Sequence, residues 1–212
     1  MKVFMETWDD PAPLSRVWCL DELRNALLLG KEVKICMPQQ AMRAFKERAE
    51  QDPVATIEAV KRVCGRVSIE HASATHEQDR LYVLDKVAST LNFEFLNEVC
   101  REIIRNALLE AAGFARADVE DTEAWTSRWR EIFDGRIIAV EATDEAGKKL
   151  MTIPQTIEIK RAVAMMQRRI FENKSAEYAQ GTQLLRDAEQ LTRRFYGEKS
   201  QLFSDIARQL SS

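Results

Sequence analysis

The chain opens on an apolar run, Val3-Phe4-Met5, within a stretch from Lys2 to Trp8 that reads as a short buried strand. Asp9-Asp10-Pro11-Ala12-Pro13 comes next. Paired prolines and aspartates disfavour both helix and ladder there, so the segment is a turn. Ser15 stands where a helix N-cap is wanted. Beyond it Val17, Leu20, Leu23 or Leu27, and Leu28 recur at helical spacing, and Gly30 suits a C-terminal residue with positive φ. A second apolar stretch, Glu32 to Met37, reads as a strand that Pro38 ends. Strand, crossover helix and strand in that order imply a parallel pair with a right-handed connection.

From Gln39 onward helical periodicity dominates the chain. Gln39 to Gln51 forms a helix with Met42, Phe45 and Ala49 inward. Asp52 caps the next helix, Pro53 opens it, and Gly65 stops it after Cys64. Val67-Ser68-Ile69 is a short strand or an extended link. His76 to Leu91 is helical with Leu81, Leu84, Val87, Ala88 and Leu91 on one face. Asn92 to Ala112 is another helix, built on Phe95, Leu96, Val99, Ile103 and Leu108, and Gly113 closes it. Residues 116–123 are an acidic linker. Trp125, Trp129, Ile132 and Phe133 return to helical spacing.

Arg136-Ile137-Ile138-Ala139-Val140-Glu141-Ala142 is rich in strand formers, Asp144 to Gly147 is turn-like, and Lys149 to Ile153 makes a return strand. That predicts a β-hairpin over 136–153. From Pro154 the pattern is helical again: Ile157, Ala162, Val163, Met166 and Ile170 mark one helix, Ala176 to Tyr196 the next and Gln201 to Leu210 the last. The predicted organisation is an α/β unit over 1–115, the linker, a helix plus hairpin over 124–153, and a helical tail over 154–212.

Composition narrows the function classes. The chain has 212 residues, 45% hydrophobic and 31% charged, with 7 Gly and 5 Pro, which favours long helices over a turn-rich sandwich. A net charge of -3 provides no general basic field for nucleic acid or anionic lipid. Cys19, Cys36, Cys64 and Cys100 include no C-x-x-C pair and read as buried free thiols in the cytoplasm or another reducing compartment. No apolar run approaches the ~20 residues that span a bilayer. The chain begins on a strand without a charged-then-apolar leader, which suits a soluble intracellular protein or a piece of a longer one.

Candidate chemistry is sparse. His71 and His76 have no third and fourth ligand at metal-binding spacing and read as surface or capping residues, so no metal is expected. There is no Ser-His-Asp order, phosphate-cradling glycine loop or dinucleotide fingerprint. Lys160-Arg161, Arg168-Arg169 and Arg193-Arg194 alternate with Glu158, Glu172 and Glu189, the pattern of a solvated, salt-bridged face. Met151, Met165 and Met166 read as gap-filling core, and Trp18 and Cys19 as core.

Two resemblances add to this reading. Trp18-Cys19-Leu20-Asp21-Glu22-Leu23, between the strands Val3 to Trp8 and Val33 to Pro38, resembles the back half of a Toll/interleukin receptor (TIR) domain. Asp9-Asp10-Pro11, Leu14 to Leu20, Met37-Pro38, Ser73-Ala74 and Asp79-Arg80 are similar to the TIR-like module of protist and algal proteins, over roughly residues 3 to 112. The likeness implies a partial flavodoxin-like parallel sheet. It also implies that Glu22 occupies the place of the catalytic carboxylate of NAD-cleaving members. There a carboxylate stabilises the oxocarbenium charge that develops on the ribose. The front half of such a domain would come from another chain.

Tyr178, Leu184, Arg186, Ala188, Leu191, Arg194, Gly197 and Glu198 resemble the second helix of a kinesin-light-chain-type tetratricopeptide repeat, and Ile206, Ala207 and Leu210 the opening helix of another. Gly181 and Ala188 take the small positions where paired helices approach. A stable stack needs about three repeats, so this end should pack on the chain, on a partner or on a second copy. The function expected first is therefore a non-enzymatic interaction or scaffold protein, a subunit of a larger assembly. It would use other protein subunits as partners, form an oligomer if they are copies of itself, and need no cofactor, nucleic acid or membrane insertion. Its contact residues would be Val3, Phe4 and Met5 at the sheet edge, with Tyr178, Leu184, Leu191, Phe195, Phe203, Ile206 and Leu210 on the last two helices. The alternative is an NAD-cleaving or nucleotide-binding enzyme that uses Glu22, with NAD as substrate.

Overall fold

The computed structural model describes residues 1–10, 12–29, 31–88, 93–115, 119, 121–142, 151–171 and 175–211. Strand β1 (Lys2–Phe4) leads through a short 3-10 turn (Ala12–Ser15) into helix α1 (Val17–Leu28) and strand β2 (Lys34–Cys36). Helices α2 (Gln39–Gln51), α3 (Pro53–Gly65), α4 (Glu77–Ala88) and α5 (Phe93–Ala112) come next, then α6 (Thr122–Glu141), α7 (Ile153–Ile170), α8 (Ala176–Tyr196) and α9 (Gln201–Leu210). The chain divides into two compact units, one of residues 1–26, 31–88 and 92–122, the other of 27–30, 89–91 and 123–212. Among the described residues no helix is long and apolar enough to cross a membrane.

In the first unit β1 and β2 pair in parallel with Val3 opposite Ile35 and Phe4 opposite Cys36, and α1 is the crossover between them. Both strands are shorter than the sequence suggests. The ladder continues by single bonds, Lys34 N–H to the Met1 carbonyl and Met5 N–H to the Cys36 carbonyl, each 2.9 Å, and then ends. Trp8 leaves the strand line to stack on Phe45 of α2, with ring centroids 4.6 Å apart, and the Arg48 guanidinium lies 5.3 Å from the Trp8 ring centroid. Val17, Leu20 and Leu23 of α1 are fully buried. Asp52 caps α3 through a 3.0 Å bond from the Ala55 N–H, ahead of Pro53 at the first turn. Helix α5 packs against α2, α3 and β2 with Phe95, Leu96, Val99, Ile103, Ile104 and Leu108 buried, and Gly113 ends it at φ +92°.

One open reading of this unit is decided and one expectation needs correction. Residues 67–69 form no strand; they are an extended link whose Val67 and Ile69 are buried and whose Ile69 N–H is held by the Asn97 side chain at 2.8 Å. Of the face expected for α4, Val87 is buried and Leu84 half-buried, but Leu81 is 55% exposed and Ala88 faces outward, Val83 is buried beside Val87 instead, and Leu91 lies outside the described residues. Both apolar sets recur at helical spacing, and docking selected the one whose rotation carries Lys86 to Asp21 of α1.

The second unit overturns the predicted hairpin. Residues 136–141 continue α6, Met151 lies in a bend, and Thr152 is already the N-cap of α7; residues 143–150 lie outside the described set. The strand propensity of Ile137 and Val140 loses to packing along one stripe, because Trp125, Trp129, Phe133 and Val140 are all buried at helical spacing. Thr152 and Gln155 form a capping box, with Pro154 in the first turn. Helices α7 and α8 meet through Ala162, Val163, Ala164, Met166, Leu185 and Ala188, each essentially inaccessible to solvent. At Gly181 an added Cβ would stand 3.1 Å from the Ala164 carbonyl oxygen, so a glycine is what lets the two backbones approach here. Gly197 at φ +78° ends α8, and Ser200 caps α9 by accepting from the Phe203 N–H at 3.2 Å. Arg168 of α7 donates to the Tyr178 hydroxyl at 3.1 and 3.2 Å and to the Gln209 carbonyl, where a cation suits the negative end of α9.

Candidate functional site

Parallel strands joined by a crossover helix leave their carboxyl ends open, and ligands of open α/β sheets bind there. In the first unit that position holds a groove of about 1040 Å³. Phe4, Met5 and Glu6 line it from the end of β1, Cys36 and Met37 from the end of β2, and Arg16, Trp18 and Cys19 from the start of α1.

Residues far apart in the chain hold the start of α1 in place. The Ser73 N–H donates to the Ser15 carbonyl at 2.8 Å, and the Val17 N–H donates to the Ser73 carbonyl at 2.9 Å. Arg16 donates to the Thr75 hydroxyl at 3.0 Å. Arg80 secures the loop before α4 by donating to the Ala72 carbonyl at 3.0 Å and the Glu70 carbonyl at 2.6 Å. Ser15-Arg16 and Ser73 are thus clamped together, and Arg80 holds the loop that carries Ser73.

Within α1 the acid that enters the interior is Asp21, not Glu22. Asp21 is 4% exposed and accepts from Arg24 at 3.2 Å, from Lys86 at 3.1 and 2.8 Å, and from Asn25 at 3.3 Å. Burial pulls the Arg24 guanidinium below its ordinary pKa, against the opposing effect of Asp21. The sequence carried a signal for this pair. Asp21 lies four residues after Val17 and three before Arg24, on the stripe that the apolar residues mark as inward.

Glu22 is exposed, one turn beyond Trp18 and outside the lining of the groove among the described residues. Trp18 is 39% exposed and faces Tyr82 of α4, itself 63% exposed, with ring centroids 6.4 Å apart and planes tilted by 35°. The expectation that Trp18 is core fails because α1 buries the stripe of Val17, Leu20 and Asp21, and the next residue round from Val17 points outward. Cys19 and Cys36 are half-buried, whereas Cys64 and Cys100 are buried, and all four are free thiols. Burial raises the Cys19 pKa, Glu22 adds to that and Arg16 opposes it.

Of the residues expected to make contacts, Phe4 is 70% exposed and Phe195 is 50% exposed. Val3, Met5, Leu184 and Ile206 are buried in the cores of their own units and make internal contacts. Tyr178 is engaged by Arg168, and Phe203 lies under Arg193 with the cation 5.3 Å from its centroid. Leu191 lines a second cavity, of about 430 Å³, together with Met151, Ile153, Lys160, Asp187 and Arg194; Leu210 is half-buried. The cations there are partly spent, since Lys160 pairs with Asp187 at 3.1 Å.

His71 shares a 2.9 Å hydrogen bond with the Ser68 hydroxyl, and the His76 carbonyl accepts from the Asp79 N–H at the start of α4. Among the described residues no three His, Cys, Asp or Glu side chains are grouped for a metal ion. No family model matches the chain, and neither a curated protein nor a solved structure matches it.

Proposed function

We propose that the protein is a non-enzymatic interaction protein, a subunit or accessory of a larger assembly, that engages its partner through the first unit. The observation that carries this reading is the side-by-side exposure of Trp18 and Tyr82, next to Leu81 at 55% exposed. Large rings left in water at one place forgo about 25 cal/mol for each square ångström of apolar area they could bury. Trp and Tyr are also the side chains on which binding energy concentrates at interfaces. The repeat-like reading of α8 agrees with the close contact at Gly181, the kind that paired repeat helices require. Mass in solution by light scattering, with capture from native extract on wild type and on a Trp18→Ala, Tyr82→Ala double variant, tests the proposal. A stoichiometric partner or a defined oligomer that the double variant loses supports it. A clean monomer that captures nothing removes it.

A second reading, a TIR-like NAD-cleaving enzyme completed by another chain, draws on the groove at the strand ends. Trp18 and Cys19 form its wall and Glu22 lies one turn away. It requires nicotinamide release from NAD that Glu22→Ala abolishes.

A further inference from the structure

We infer that the Trp18–Tyr82 pair, with the carboxylates of Glu22 and Asp85 beside it, binds an arginine side chain in a short basic segment of a partner protein. The inference rests on the interaction reading above and names the chemistry of the partner.

Two contacts align α1 and α4. Trp18 meets Tyr82, and one turn further along both helices Asp21 meets Lys86. Glu22 lies four residues after Trp18 and Asp85 three after Tyr82, spacings that put each carboxylate on the surface next to its ring. Glu22 and Asp85 are exposed, and no cation pairs with either among the described residues.

The nearby cations are committed elsewhere. Lys86 donates to both carboxylate oxygens of the buried Asp21. Arg80 donates to the carbonyls of Glu70 and Ala72, and to Glu77 at 2.8 Å. Arg16 is tied to Thr75 at 3.0 Å. The surface thus offers two electron-rich ring faces and two unspent negative charges.

That combination fits a guanidinium. Its plane stacks on an indole or phenol face, its positive charge is drawn to the ring quadrupole, and its donor edge matches a carboxylate in bidentate fashion. An apolar segment would cover the rings but strand the carboxylates, and an acidic one would be repelled.

The test is calorimetric titration of the full chain with a glycine–serine peptide carrying arginines, against the same peptide with citrulline in their place. Citrulline keeps the shape and loses the charge. The arginine peptide is expected to bind at least about tenfold more tightly, and more weakly as salt is raised. Trp18→Leu keeps apolar area but removes the ring face, and should weaken binding about threefold to fivefold. Glu22→Gln with Asp85→Asn should do so by a similar factor.

All three positions are exposed, so the variants should retain the wild-type circular dichroism spectrum; if Trp18→Leu does not, Tyr82→Leu takes its place. Equal binding of the citrulline peptide, or wild-type affinity in the ring variant, overturns the inference. If a natural partner is captured in a Trp18-dependent way yet the arginine peptide does not bind, the interaction reading stands and this one falls.

Discussion

Lys86 Nζ donates to both carboxylate oxygens of Asp21, at 3.1 and 2.8 Å, from 65 residues further along the chain. The contact fixes the rotation of α4 against α1 and satisfies a charge that α1 carries into the interior beside Arg24. Removing one member of a buried ionic group leaves the others uncompensated, which costs about 3–5 kcal/mol. Asp21→Ala should therefore lower stability by about 3 kcal/mol in urea unfolding. Lys86 is one-third exposed, and its replacement by Met should cost less, about 1 kcal/mol. Equal losses at the two positions would show that Asp21 is not the buried centre of the group.

Two glycines in helices should respond to alanine with opposite signs. At Gly181 the new Cβ meets the Ala164 carbonyl oxygen at 3.1 Å, a backbone atom with little freedom to withdraw. Gly181→Ala should destabilise by about 1 kcal/mol or more, the range of overpacking. Gly135 in α6 has open space around its Cβ position. Gly135→Ala should stabilise by about 0.5–1 kcal/mol through helix propensity. Thermal melts of the two variants check the contrast.

The thiols should divide by burial. Cys19 and Cys36, half-buried at the groove, should react with a thiol reagent in the native protein, and Cys64 and Cys100 only on unfolding. Burial pushes both inner thiols up to about 12 from 9.0. Between those values the unfolded chain has lost protons that the native chain still holds, so stability falls as pH rises through that window, and the effect is absent below it. Urea midpoints at rising alkaline pH, on wild type and on the Cys64→Ala, Cys100→Ala double variant, measure it. The double variant should show the shallower decline.

The two faces of α4 are distinguishable by truncation. Val83 is fully buried and Leu81 is 55% exposed. Val83→Ala should cost about 2 kcal/mol, within the range of buried aliphatic truncations, and Leu81→Ala less than about 0.5. The reverse order would mean that the leucine face docks.

The bounds of α8 and α9, the capped start of α3 at Asp52-Pro53, and the long buried stripe of α5 were legible in the chain. Those features arise from neighbours within a helical turn or two, where spacing, caps and glycine stops act directly. The parallel order of β1 and β2 was legible too, because a crossover helix permits little else. Tertiary packing decided what local propensity left degenerate. It extended α6 through the isoleucine-rich segment to Glu141, and it chose Val83 over Leu81 as the buried face of α4. It also turned Trp18 outward toward Tyr82 while drawing Asp21 in. The candidate site was the least legible part, since the clamp from Ser73 to Ser15 and the bond from Lys86 to Asp21 join residues about sixty positions apart. Contacts of that span exist only after the helices have docked, and so the sequence determined the helices while the tertiary structure decided which of their faces meet water.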